Sequence, residues 1–271
     1  MDWLQIFILG LVSGLTEFLP LSAPGHQRLL MHLFGRTEMD PLCRFMLTLG
    51  SLAAVISACS APLRRLMLVK RMSARRSRSE AYENLLFDAR IIKAVAIPTG
   101  IAYGIVTLLR LPMELPYLVA AFAVNGLMLF LLGITRQANK TSRHMSRLDT
   151  VAMGAVGCTS VIPGISLLGA VTSAGIARGA HRQTALSWAL LISVPLLMLR
   201  MVLDLILWIL GGTSLGLVGF FCSIGGAVLS YCGSLISIRF VRFAVNRSGL
   251  SGFCYYSWGA ALLTFILYLI T

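Results

Sequence analysis

The stretch 14-GLTEFLPLSAPGHQ-27 decides how this chain is read, because 157-GCTSVIPGISLLGA-170 repeats its opening. Both run Gly-x-Thr-x-apolar-apolar-Pro, with Gly14, Thr16 and Pro20 in the first and Gly157, Thr159 and Pro163 in the second. Each lies in a run otherwise apolar enough for a bilayer. Apolar segments broken by Gly and Pro at corresponding positions of two halves point to the binding site of an inverted-repeat membrane protein. The shared pattern is short, so its weight depends on whether the rest of the chain divides the same way.

Hydrophobic residues make up 57% of the 271 and charged residues 12%, and the mean hydropathy is +0.84. A soluble domain carries about 25% charged residues. The composition defines an all-α polytopic membrane protein, a single membrane domain over 1–271. The net charge of +13 does not indicate nucleic-acid binding, because the bases cluster in short connections between apolar spans, as cytoplasmic loops do. The six cysteines are scattered without a CxxC pair, which suggests neither a disulfide framework nor a zinc site. The first 30 residues lack a basic n-region and are broken by polar residues, unlike a cleaved signal peptide.

Residues 3–12 are apolar, then Ser13-Gly14, Pro20, Ser22 and Pro24-Gly25 interrupt them, and His26, Arg28, His32 and Arg36 follow. Neither piece reaches the length of a span, so two short helices joined by an irregular turn are expected, entering and leaving on one side. Spans are expected at 45–62, 91–109 (with a kink at Pro98) and 117–134. Basic loops at 63–90 and 135–148 are assigned to the cytoplasm, and the LPMELP turn with Glu114 and the Gly211–Ser214 turn to the outside. A second hairpin, broken at Pro163-Gly164, occupies 150–177, followed by spans at 185–209, 216–238 and 252–270. Three is odd, so the second hairpin-plus-three-span unit (148–271) is inverted relative to the first (1–135), and the two broken turns can meet near the midplane.

At this point the chain resembles the undecaprenyl-diphosphate phosphatases of the bacitracin-resistance type. GLTEFLPLSAPGH is similar to that family's EGLTEFLPVSSTGH signature, and VIPGISLLGAVTSAG to its PGxSRSGATIS. Weaker echoes are Phe45 to Leu52, IPTG at 97–100, ARGAHRQTAL, SVP and FCYYSWG. The resemblance implies an inverted-repeat helical fold with two re-entrant hairpins in the bacterial cytoplasmic (inner) membrane, and removal of one phosphate from undecaprenyl diphosphate at its outer face. The departures fall on the chemistry. The family's first glutamate falls at Ser13 and its second is kept as Glu17. Its first serine is kept as Ser22, but the proposed nucleophile is Ala23 and the next threonine Pro24. His26 is kept. The phosphate-binding arginine falls at Leu167, its neighbouring serine at Leu168, and Ser166 survives beside them.

Diphosphate hydrolysis needs charge neutralisation of the transferring group and an activated nucleophile. Leu167 cannot bind phosphate and Ala23 cannot attack. Glu17 stands alone as a metal ligand for Mg²⁺ or Ca²⁺, if the protein is catalytic. The remaining catalytic candidates are Glu17, His26 and Ser22. Substrate-binding candidates are Ser13, Thr16, Gly25, Arg28, Thr159, Gly164, Ser166 and Thr172. An ionisable group at membrane depth is functional by default, which favours Glu17. His26 divides between an ordinary hydrogen-bonded histidine and a base. Arg28 divides between reaching the surface, the favoured reading, and replacing the missing arginine. The hydroxyls commonly satisfy backbone groups in broken helices. The expectation is a protein that binds a polyprenyl phosphate or diphosphate for lipid-carrier recycling or translocation, with hydrolysis lost or slight; a homodimer is compatible with it. The alternatives are an active phosphatase with a rearranged site and a transporter of a small anion.

Overall fold

The computed structural model describes residues 1–72, 80–109, 114–135, 140, 142–212, 215–247 and 249–270. The expected hairpins form because Pro and Gly stop the helices where the sequence places them. Helix α1 (Trp3–Glu17) ends before Pro20, and α2 (Ala23–Leu33) begins at Ser22, whose φ of 70° is the one positive value among described non-glycine residues. In the second hairpin α7 (Arg147–Thr159) ends before Pro163-Gly164, and α8 (Leu167–Ala177) starts from Ser166. Fifteen residues of α1 make a rod of about 22 Å, short of the ~30 Å hydrocarbon core. Almost all of α8, from Leu168 to Ile176, is buried, as irregular or interrupted backbone at membrane depth requires.

Among the described residues six helices are long and apolar enough to cross a membrane: α3 (Pro41–Ala58), α5 (Glu80–Leu109), α6 (Leu115–Ile134), α9 (Arg182–Gly211), α10 (Leu217–Arg247) and α11 (Phe253–Ile270). Three follow each hairpin, as expected. Leu, Ile and Phe side chains stand exposed along them, among them Ile101, Leu127, Phe221 and Leu262, a surface that lipid solvates and water would not. The chain is therefore a multi-pass membrane protein. The segment 63–90, read as an open loop, is instead helical at both ends. Helix α4 (Ser60–Met72) follows α3 almost directly, and α5 starts at Glu80. Arg and Lys are good helix formers, so basic composition marks the end of a span without ending the helix. Arg239 and Arg242 likewise continue α10. Arg75, Arg76, Arg78 and Arg136, Leu111–Met113 of the LPMELP turn, and Thr213-Ser214 lie outside the described residues.

The packing crosses between halves. Helix α1 packs on α10 and α7 on α5; α3 packs on α10 and α9 on α5; α6 packs on α11 and α3 on α9. Close approach is made by small residues. A Cβ on Gly10 would lie 2.5 Å from the Gly226 carbonyl oxygen, and Cβ atoms on Gly14 and Gly50 would collide with the carbonyls of Ser230 and Ala227. Between these backbones Ser51, Ser230 and Ser234 hydrogen-bond one another at 2.9 and 3.1 Å, the small-residue and hydroxyl packing typical of membrane helices. Pro98 inside α5 has no N–H for the Ala94 carbonyl. Gly154 of α7 sits against that carbonyl, where its Cβ would be 3.0 Å away.

Candidate functional site

The two broken turns meet, and serines join them. Ser22 Oγ accepts from Gly25 N at 3.4 Å within its own helix start and from Gly164 N at 3.0 Å in the other hairpin. Ser166 caps α8 through Gly169 N at 3.2 Å and donates its hydroxyl to Leu19 O at 3.1 Å, back in the first turn. Asn125 of α6 closes the joint: its Nδ2 donates to Pro20 O and Ser257 Oγ, both at 2.9 Å, and its Oδ1 accepts from Ser166 N at 3.0 Å. Gly25 and Gly164 allow the crossing. A Cβ on Gly25 would lie 2.8 Å from Gly164 N, and one on Gly164 (φ 106°) would lie 2.6 Å from Ala121 Cβ.

Beside the joint lies a cleft of about 670 Å³, open mouth included. Its walls are mostly apolar, with Phe18, Ile165, Leu167, Leu168, Leu196 and Leu197. Its charged lining residues are Glu17, at the end of α1, and Arg200, on α9. Arg200 Nη1 stands 3.8 Å from Glu17 Oε2, and Nη2 donates to Gln27 Oε1 at 2.8 Å. Gln27 Nε2 in turn donates to Ser13 Oγ at 2.8 Å. Hydroxyls of Thr99, Tyr103, Ser160 and Ser193 complete the polar lining, though Ser160 and Ser193 donate to the helix carbonyls of Gly157 and Leu190.

The structure brings together only part of the set expected from sequence. Glu17, Ser22 and Ser166 line the cleft, and Ala23 and Leu167 line it too. Ser13 joins through Gln27. Thr16 Oγ1 donates to Val12 O at 2.7 Å within its helix. His26 does not pair with Glu17. Its Nδ1 lies 2.9 Å from Ser22 O and its Nε2 3.0 Å from Tyr256 OH; a carbonyl only accepts, so Nδ1 carries the proton and Nε2 accepts from the tyrosine. Arg28 is exposed on α2 and is not a lining residue, and Thr159 is exposed with its hydroxyl on Val156 O. Thr172 is fully buried in α8 and is not a lining residue. Arg200, Gln27, Asn125 and Tyr256 escaped the sequence reading. Arg200 had a signal, an ionisable residue inside an apolar span; the others had none.

Among the described residues no three His, Cys, Asp or Glu side chains gather as a metal site. Glu17, the one carboxylate lining the cleft, already faces a guanidinium. The donor set does not fit an all-protein divalent site.

A helical membrane protein with two short hairpins whose joined turns flank a mixed apolar and ionic cleft is the class these features define. The chain matches the family described as bacitracin resistance protein BacA over residues 6–263, and it belongs to that family. It is similar to undecaprenyl-diphosphatase 1 of Shouchella clausii, 31% identical over 274 residues, covering 98% of this chain and 96% of that protein. It is also similar to undecaprenyl-diphosphatases of Treponema denticola (27% identical, 94% of each chain) and Carboxydothermus hydrogenoformans (27%, covering 95% and 94%).

Proposed function

We propose that this protein binds a polyprenyl phosphate or diphosphate in the cleft beside the joined turns, and serves lipid-carrier recycling or translocation in the bacterial cytoplasmic membrane with hydrolysis weak or lost. The names of the relatives supply the ligand class. One observation carries the reading: an apolar-walled cleft with one partly buried ion pair, Glu17 and Arg200, suits a ligand with a long apolar chain and an anionic head. A small hydrated anion would not need the Phe18, Ile165 and Leu196 walls.

Weak hydrolysis follows from what the residues are already doing. Ser22 Oγ accepts two backbone N–H bonds and has no bond to His26, whose Nδ1–H donates to the Ser22 carbonyl. A nucleophile needs a base within hydrogen-bond reach, and this serine lacks one. Ala23 and Leu167 face the cleft where a hydroxyl and a cation would act. Charge neutralisation falls to Arg200. An inverted repeat of 1–135 and 148–271 is supported by the exchanged packing, α1 on α10 against α7 on α5, and α3 on α10 against α9 on α5. Such a repeat suits alternating access.

The test is phosphate release from undecaprenyl diphosphate by the purified protein, with and without Mg²⁺ or Ca²⁺, beside direct binding of the same lipid. Binding with little release is expected. Rapid release that disappears in Glu17→Ala would establish the alternative, an active phosphatase with a rearranged site.

A further inference from the structure

Arg200 is 7% exposed, yet its guanidinium is under-used. Among the described residues only Nη2 makes a hydrogen bond, to Gln27. The 3.8 Å approach of Nη1 to Glu17 is an ion pair too long for a hydrogen bond, and Nε has no hydrogen-bond partner among the described residues. A guanidinium carries five N–H donors in a rigid fork, and leaving them unmet in a buried site is costly. The fork is also held in place. Gln27 fixes one nitrogen and is itself fixed by Ser13. Asp204, one helical turn further along α9, gives its Oδ1 to Arg44 at 2.6 Å, and its Oδ2 has no hydrogen-bond partner among the described residues. The arrangement keeps a cation at the cleft wall with donors to spare and Glu17 as a loosely held counter-ion.

We propose that Arg200 is the anion-binding group of the cleft, supplied from α9 where the start of α8 offers Leu167, and that Glu17 is its resting counter-ion, displaced when a phosphate oxygen of the ligand takes the unmet donors. The ligand class is a phosphate ester on an apolar chain. This rests on the lipid-phosphate reading of the cleft and adds to it which side chain holds the head and which competes. The Glu17 role has an unusual sign: removing its charge strengthens binding while removing the Arg200 charge weakens it.

The experiment is equilibrium binding of undecaprenyl phosphate, and separately of inorganic phosphate, to the full chain in lipid nanodiscs. Arg200→Gln is expected to weaken lipid binding on the order of 10- to 100-fold, the loss of charge-assisted hydrogen bonds, with Arg200→Lys in between. Glu17→Gln is expected to tighten it several-fold. The double variant Glu17→Gln/Arg200→Gln leaves no unbalanced buried charge of this pair, so it keeps the test open where the single Arg200 variant does not fold; it is expected to bind as weakly as Arg200→Gln. Double-variant binding within about twofold of wild type, on the scale of a single exposed contact, overturns the assignment. Weaker binding in Glu17→Gln overturns the counter-ion role. Wild type that binds neither probe sinks the lipid-phosphate reading itself, whereas Arg200-dependent binding of inorganic phosphate alone keeps Arg200 as the anion group and replaces the lipid by a free anion.

Discussion

Ser22 Oγ accepts the backbone N–H of Gly164 at 3.0 Å, across 142 residues of sequence. This bond, with its counterpart from Ser166 to Leu19, makes the two turns one unit, so the hydroxyl at Ser22 is a fastener of the site. Ser22→Ala frees the N–H groups of Gly25 and Gly164 and is expected to destabilise by about 1–2 kcal/mol, the scale of a lost cap, measured by thermal unfolding in detergent. Ser22→Gly loses the same bonds but relaxes the φ of 70°, so it is expected to cost less. Any residual phosphate release per folded molecule is expected to survive both changes. Its complete loss would mark Ser22 as a nucleophile after all.

Asn125 is fully buried and serves Pro20, Ser257 and Ser166 at once. Asn125→Leu strands the Pro20 carbonyl and the Ser166 N–H, each costing about 1–3 kcal/mol. The expected result is a loss of at least about 2 kcal/mol in unfolding measurements, with weaker lipid binding as the turns separate. A neutral effect would show that the turns are held by other contacts.

Ala23 and Leu167 both line the cleft. If their identities limit hydrolysis, Ala23→Ser/Leu167→Arg is expected to raise phosphate release from undecaprenyl diphosphate on the order of 100-fold, the scale of one restored transition-state interaction. The gain is expected to vanish with Glu17→Ala. An unchanged rate would place the limitation elsewhere in the cleft.

The open end of the second hairpin is tied by Arg178 to Asp149 at 2.5 Å, with Ser146 N donating to the same carboxylate at 2.9 Å. Burial would raise the Asp149 pKa, but the Ser146 backbone and Arg178 outweigh it and hold the carboxyl below its ordinary 3.8. The sign follows from linkage: a carboxyl lowered in the folded state stabilises at pH above its unfolded value and loses that contribution as pH falls through the folded value. The stability difference between wild type and Asp149→Asn is therefore expected to be constant above about pH 5 and to shrink below about pH 4, read by unfolding at stepped pH. A difference independent of pH would remove the ion pair as its source.

The class of protein, the number of spans and the places where helices break are determined by the sequence itself. These properties are local: hydropathy over twenty residues marks a span, Pro163-Gly164 and Pro20 stop a helix, and Ser22 and Ser166 cap the next one. Glu17 stands out as well, because a carboxylate in an apolar run is costly, and the structure places it at the cleft wall. Local signals also misled, since the basic stretch after Pro62 looks like a loop but Arg and Lys extend the helix. What only the tertiary structure decided is which side chains meet. Arg200 stands out in sequence as a charge in an apolar helix, but its approach to Glu17 and its hydrogen bond to Gln27 depend on how α9 packs beside the first hairpin. His26 has Tyr256 and not Glu17 as its partner because α11 places the phenol there. Such meetings join helices far apart in the chain, and a periodic pattern along one helix carries no record of its neighbour.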